Sequence, residues 1–313
     1  MELAQQIINR DDAALAKGIT LIESVLPQHE KKAQELIKKC LPKSGNSIRI
    51  GITGVPGVGK STFIETFGKL LTSHGKKVAV LAIDPTSERT KGSILGDKSR
   101  MQELSNDKNA FIRPSPNSGT LGGVTNNTRN SIILCEAAGF EIILIETVGV
   151  GQSETTVNNL VDFFLLLMLS GAGDELQGIK RGIMELADVL VIAKCDGDNI
   201  QKAENAALEY KGAIHLFPAM ENSWIPQVIT CSALEKTGIS EIKDIIDSFN
   251  MKMTFNGWKI KNRKKQNIYW LHLAIKEELG NKRYKSFAAE GKLKFLEEKL
   301  ASGKTIHQLL SKL

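Results

Sequence analysis

The run GITGVPGVGKST, residues 51 to 62, carries the spacing G-x-x-x-x-G-K-S from Gly54 to Ser61. That spacing serves phosphate chemistry. Glycines let a loop curl until its backbone N–H groups face phosphate oxygens. A helix starting at the end of the loop adds its positive end. In this reading Gly54, Val55, Pro56, Gly57, Val58 and Gly59 form the cradle, and Lys60, Ser61 and Thr62 open the helix. Lys60 reaches the β- and γ-phosphates, and the Ser61 hydroxyl is a ligand for Mg²⁺. Cleaving a phosphoanhydride also calls for acids. Glu146 ends the apolar run IILIE and is a candidate to hold Mg²⁺ or its water. Asp84, after VAVLAI, and Asp97, in GSILGDKSRM, are candidates for the metal shell or for orienting the attacking water. Lys60, Asp84, Asp97 and Glu146 are therefore the expected catalytic set. Ser61, Asp84, Asp97 and Glu146 are the expected metal set. Gly149, in ETVGVGQ, can offer its N–H to a γ-phosphate and so sense GTP against GDP. Val150 follows it where a water-orienting Gln often stands, and Gln152 is displaced by two. Unassisted hydrolysis is expected to be slow.

A second stretch bears on the base. VLVIAKCDGDN, residues 189 to 199, runs from an apolar strand into A-K-C-D, where guanine-selective proteins usually carry N-K-x-D. A carboxylate at Asp196 can accept both N1–H and the 2-amino group of guanine. Adenine would present a lone pair to that charge. Lys194 can lay its stem along the base face. Ala193 replaces the usual Asn, a loss on the order of 1 kcal/mol that weakens binding without reversing the preference.

These residues need rigid elements behind them. Apolar runs at 48–53, 78–83, 142–145, 163–169, 189–193 and 228–230 alternate with helical stretches. That pattern predicts an α/β fold with a mainly parallel sheet covered on both faces. Residues 1–45 read as an N-terminal helical extension, 46–250 as the nucleotide domain and 251–313 as a C-terminal helical region. The run FFLLLML, 163–169, is far short of the ~20 residues a membrane span needs, so it reads as a core strand.

Bulk properties set further bounds. Of 313 residues 42% are hydrophobic, enough for a proper core. Net charge is +6, with fourteen Lys or Arg against five Glu and no Asp from Lys259 onward. Such a tail suits contact with nucleic acid, an anionic surface or an acidic protein, and equally a solvated helical face. Nucleic-acid binding would want interleaved surface aromatics or a known module. The four cysteines are scattered, with no C-x-x-C pair. Free thiols and an N-terminus without an apolar core point to a cytoplasmic protein without membrane insertion.

Taken together, GITGVPGVGKST, GSILGDKSRM, FIRPSPNSGTLGGV, IETVGVGQSE and LLLMLSGAGDELQGIKRGIMELAD resemble the MeaB/ArgK family of G proteins across nearly the whole chain. The resemblance implies a P-loop GTPase domain flanked by N-terminal helices and a C-terminal helical dimerisation arm. It implies GTP/GDP and Mg²⁺ as ligands and a homodimer. The implied partner is an adenosylcobalamin-dependent acyl-CoA mutase, methylmalonyl-CoA mutase by default, for which the chain gates cofactor delivery and which it protects. By the same resemblance, residues 170–180 form a switch with Asp174, Gln177 and Lys180 as polar contacts. Ser232, Ala233 and Leu234, in CSALEKTG, match the loop whose backbone touches the guanine oxygen. Two other functions fit less well. A kinase linked to amino-acid transport would use ATP, against Asp196. A nickel metallochaperone would carry a His or Cys cluster, whereas five His and four Cys are dispersed. Arg100, Arg113 and Arg129 are open as arginine fingers.

Overall fold

The computed structural model describes residues 2–83, 101–114, 121–147, 153–171, 181–311 and 313. The expectations placed on Asp84, Asp97, Gly149, Val150, Gln152, Asp174, Gln177, Lys180 and Arg100 lie outside the described residues.

Three helices open the chain: α1 (Leu3–Ile8), α2 (Asp12–Glu23) and α3 (Pro27–Cys40). Asp11 caps α2 by accepting from the Ala14 N–H at 2.9 Å, and Pro27 starts α3 where its missing N–H costs nothing. Their apolar sides bury Ile7, Leu15, Ile19 and Leu36.

Among the described residues the sheet has 7 strands. They are β1 (Ile48–Gly54), β2 (Val78–Ile83), β3 (Ala110–Pro114), β4 (Ile142–Thr147), β5 (Phe163–Leu169), β6 (Val189–Ala193) and β7 (Gln227–Thr230). Their order is β3-β2-β4-β1-β5-β6-β7, and every pairing is parallel. Parallel strands are covered on both faces, which is why β4, β5 and β6 read as unbroken apolar runs. Phe163, Phe164, Leu165 and Leu167 are fully buried, each worth about 1.5–3 kcal/mol of burial. The sequence alone marks no strand at β3. It is an edge strand, half-buried throughout, and carries Arg113 and Pro114, features that blunt an edge and hide the apolar signal.

Helices connect the strands: α4 (Lys60–Ser73), α5 (Gln102–Ser105), α6 (Leu121–Ala137), α7 (Ser153–Asn158), α8 (Arg181–Met184) and α9 (Ile200–Ile214); α10 (Ile239–Phe255) follows β7. β1 lies at the centre, and its neighbours β4 and β5 lead the chain to opposite sides of the sheet. In open α/β sheets ligands sit beyond the carboxyl ends of strands at such a switch point.

Internal contacts divide the chain into two units, Met1–Met251 and Lys252–Leu313. Helices α1 to α3 belong to the first. The second contains α11 (Trp258–Ala289), α12 (Lys292–Ala301) and α13 (Ile306–Leu310). The sequence pattern runs 263–284 as one helix. The structure breaks α11 at Gly280, whose φ of 70° and ψ of 162° belong to a region almost reserved for glycine. His272 joins the pieces: its Nε2 lies 2.7 Å from Glu297 Oε1 and its Nδ1 3.2 Å from the Tyr284 hydroxyl. Thr305 and Gln308 form a capping box at the start of α13. No described helix is long and apolar enough to cross a membrane.

Candidate functional site

Parallel register assembles the site along the carboxyl edge of the sheet. Gly54 at the end of β1 is level with Leu167 of β5, and Ile52 with Glu146 of β4. Further along, Leu169 is level with Ala193, and Ile192 with Thr230. The glycine loop, the acid and both loops expected to hold the base therefore leave the sheet at one edge.

The loop from Gly54 to Gly59 leads directly into α4, whose first residue is Lys60. A Cβ on Gly54 would stand 2.5 Å from the Leu167 carbonyl oxygen, so no side chain fits there. Gly57 and Gly59 have φ of 77° and 97°, and the space around both is open. The left-handed bends turn the loop, and the open space is what a polyphosphate chain needs. Val58 is buried and anchors the loop from below. Lys60 Nζ donates to the carbonyls of Gly54 at 2.8 Å and Val55 at 3.3 Å, which holds its ammonium across the loop.

Glu146, buried at the end of β4, brings Oε1 to 3.4 Å from Ser61 Oγ at the start of α4. Two hard oxygen donors so close suit Mg²⁺, which prefers carboxylate, hydroxyl and water ligands. Just below them the Thr147 hydroxyl donates to Thr53 Oγ1 at 2.8 Å and fixes β4 against β1. Asp84 and Asp97 are outside the described residues.

Beyond β6, Lys194 takes a left-handed φ of 58° and stretches Nζ to the Gly57 carbonyl at 2.8 Å. The Cys195 N–H then donates to the Cys231 carbonyl at 2.9 Å, which brings the next loop alongside. Ser232 Oγ donates to Asp196 Oδ2 at 2.5 Å and accepts from the Glu235 N–H at 3.1 Å. Among the described residues no other donor reaches the Asp196 carboxylate. A carboxylate with one oxygen so oriented can accept paired N–H groups from a planar ligand edge. Ala233 accepts from Thr66 Oγ1 of α4 at 2.9 Å, and the Leu234 side chain is exposed. Burial pushes the Cys231 thiol up to about 12, with Cys195 and Asp196 adding, so it stays neutral beside the acid.

The described expected residues thus converge: residues 54–62, Glu146, Lys194, Asp196 and 232–234 share one edge. Sequence reasoning passed over Thr66, Thr53 and Asn199, which tie these pieces together through hydrogen bonds. One of the candidate arginines is already engaged. Arg113 pairs with Glu23 of α2 and donates to Thr20 Oγ1 at 3.2 Å. Arg129, on α6, has its pKa held down at about 10 by burial and then by the charge of Arg49.

A parallel sheet, a glycine loop entering a helix with Lys60 and Ser61, and an acid at the neighbouring strand end define a P-loop nucleoside triphosphatase. Comparison with known proteins narrows this. The family described as "Methylmalonyl Co-A mutase-associated GTPase MeaB" matches residues 15–288, and the chain belongs to it. A "Probable GTPase" of Mycobacterium tuberculosis is 51% identical over 275 residues, covering 88% of this chain and 82% of that protein. GTPase ArgK of Escherichia coli is 47% identical over 280 residues, covering 90% and 85%. A crystal structure described as a LAO/AO transport system kinase superposes with a TM-score of 0.78 at 38% identity, covering 99% of this chain and 95% of that one. The chain is a guanine-nucleotide-binding GTPase of this family.

Proposed function

We propose that this GTPase is a chaperone that gates cofactor delivery to, and protects, an adenosylcobalamin-dependent acyl-CoA mutase, methylmalonyl-CoA mutase first among them. The observation that carries the reading is the match to a mutase-associated GTPase family across both units, residues 15–288. In this reading the loop of Gly54–Gly59 with Lys60, Ser61 and Thr62 cradles the phosphates. Asp196 accepts the guanine N1–H and 2-amino group, Lys194 lies along the base, and the backbone of Ser232–Leu234 faces the guanine oxygen. Ser61 and Glu146, with Asp84 and Asp97, would hold Mg²⁺, which neutralises phosphate charge when bound. Lys60 moves from the loop carbonyls to the phosphates. Gly149 and the polar residues Asp174, Gln177 and Lys180 report the nucleotide state to the mutase. Hydrolysis is slow until the partner completes the site, and the cytoplasm is the compartment.

A second copy of the chain is the other partner. Phe255, Ile260 and Phe295 of the second unit expose large apolar side chains, 93%, 66% and 58% exposed, which suits pairing of that unit. Light scattering on a sizing column, with and without nucleotide, tests the homodimer, and a monomer in both cases overturns it.

The test of function is steady-state hydrolysis of GTP and of ATP, each with and without methylmalonyl-CoA mutase. Stimulation of GTP turnover alone is expected. GTP turnover indifferent to every acyl-CoA mutase tried would remove the client. Comparable use of ATP would remove the guanine reading of Asp196.

A further inference from the structure

The base loop lacks the asparagine that normally ties such a loop to its neighbours, because Ala193 stands there. Yet the loop is not left untied. After Asp196 the chain makes a short turn, Gly197–Asn199, in which the Asn199 N–H donates to the Asp196 carbonyl at 3.0 Å. The turn brings the Asn199 side chain back over the loop. Its Nδ2 donates to the Lys194 carbonyl at 2.6 Å, and its Oδ1 accepts from the Ser170 hydroxyl at 2.6 Å. Ser170 directly follows β5, whose last residue Leu169 is level with Ala193. The β5–β6 pairing is thus carried one step past the strands by two side chains.

We infer that Asn199 positions the base loop, taking over the fastening that an asparagine at position 193 would supply. This rests on the guanine reading of Asp196. Lys194 needs such a restraint. A left-handed backbone is unfavourable for a lysine, on the order of 1–2 kcal/mol. Left alone, the peptide would relax and carry Asp196 away from Ser232. The amide of Asn199 clamps the Lys194 carbonyl, and Ser170 fixes the orientation of that amide. With Lys194 Nζ on the Gly57 carbonyl at 2.8 Å, the clamp also sets the distance between base loop and phosphate loop. Asn199 acts through the Lys194 carbonyl, so it is a positioning residue.

The test is titration calorimetry of the full-length protein with GDP and with inosine diphosphate, which lacks the 2-amino group. Asn199→Ala is expected to weaken GDP about 10-fold and to narrow the preference for GDP over inosine diphosphate. In hydrolysis the loss falls on KM for GTP rather than on kcat. Ser170→Ala is expected to weaken GDP about 3-fold, and the double variant to be no weaker than Asn199→Ala, because both act through one network. Asn199→Asp keeps the acceptor for Ser170 and loses the donor to Lys194, so it is expected to resemble Asn199→Ala. It carries the test if the alanine variant does not fold. Ala193→Asn placed on Asn199→Ala is expected to restore GDP binding. Asp196→Asn separates the two readings. If it leaves the GDP preference intact, the guanine assignment falls. If it abolishes that preference while Asn199→Ala and Asn199→Asp bind both nucleotides as the wild type does, the positioning role of Asn199 is overturned and the guanine assignment stands.

Discussion

The two edges of the sheet use the same residue types to opposite ends. At the amino edge Glu136 is matched by a buried opposite charge, and two further acids accept from backbone N–H groups. Glu136 accepts from Gly45 N at 2.8 Å, Ser47 Oγ at 2.6 Å, and Arg49 through Nε at 2.9 Å and Nη2 at 3.0 Å. Asp162 accepts from the Arg49 N–H at 2.9 Å, and Asp188 from the Phe164 N–H at 2.8 Å. At the carboxyl edge the acids Glu146 and Asp196 face the hydroxyls of Ser61 and Ser232, while Lys60 and Lys194 rest on loop carbonyls. A charge matched by an opposite charge in a buried place is expensive to separate. A charge resting on a neutral group is readily transferred to a better partner. The amino edge is built to stay as it is. The carboxyl edge is built to exchange partners when a nucleotide arrives.

The largest expected effect breaks the amino edge. Glu136→Ala would leave the Arg49 guanidinium, with 16% of its side chain exposed, without its counter-charge. The expected loss is about 3–5 kcal/mol of folding stability, read as a lower denaturant midpoint. Below the midpoint, GDP affinity should be unchanged. A large affinity loss with little change in stability would erase the distinction between the edges. The reciprocal variant is Lys60→Ala. Its ammonium donates to the carbonyls of Gly54 and Val55, and the denaturant midpoint is expected to move less than in Glu136→Ala. GTP hydrolysis in single turnover should fall about 10²–10³-fold. A fall below tenfold would move the chief phosphate cation elsewhere.

Asp188 sharpens the comparison through pH. Burial pushes its carboxyl up to about 8 from the usual 3.8, and the hydrogen bond from Phe164 only partly opposes this. Below about pH 4 folded and unfolded chains both hold the proton. Between about pH 4 and 8 only the folded chain holds it, so stability declines as pH rises, by about 1.4 kcal/mol per pH unit. Asp188→Asn keeps an acceptor for Phe164 and removes the titration. Denaturant midpoints from pH 5 to 8 should show the variant gaining on the wild type as pH increases. Parallel pH profiles for the two proteins would mean that the acid is ionised in the fold.

This contrast also explains what the sequence made legible. β4, β5 and β6 announce themselves as continuous apolar runs because both faces are covered. The phosphate loop is legible because its chemistry depends on spacing within one short stretch. β3 is hidden because half-burial, Arg113 and Pro114 dilute its pattern. The break at Gly280 is hidden because one glycine inside a helical run does not reveal its own φ. Asn199 is the instructive case. In D-G-D-N an asparagine reads as turn chemistry. Its partner Ser170 is 29 residues away, and only the register of β5 with β6 brings the two together. Expectations for Asp84, Asp97, Gly149, Asp174, Gln177 and Lys180 fall outside the described residues and remain proposals.

The smallest effect tests whether the carboxyl edge acts as one body. Thr66, nearly two turns into α4, donates to the Ala233 carbonyl at 2.9 Å, so the helix that begins at the phosphate loop also steadies the loop beside the base. Thr66→Val keeps the shape of the side chain and leaves that carbonyl without its donor. If the edge is one body, GDP affinity should weaken by about 0.5–1.5 kcal/mol. A probe confined to the phosphates, such as inorganic pyrophosphate, should bind as it does to the wild type. Calorimetry with both ligands reads the difference. Equal losses for the two would place the role of Thr66 in the phosphate loop itself. No loss for either would mean that the base loop is held by Lys194, Asn199 and Ser232 without help from α4.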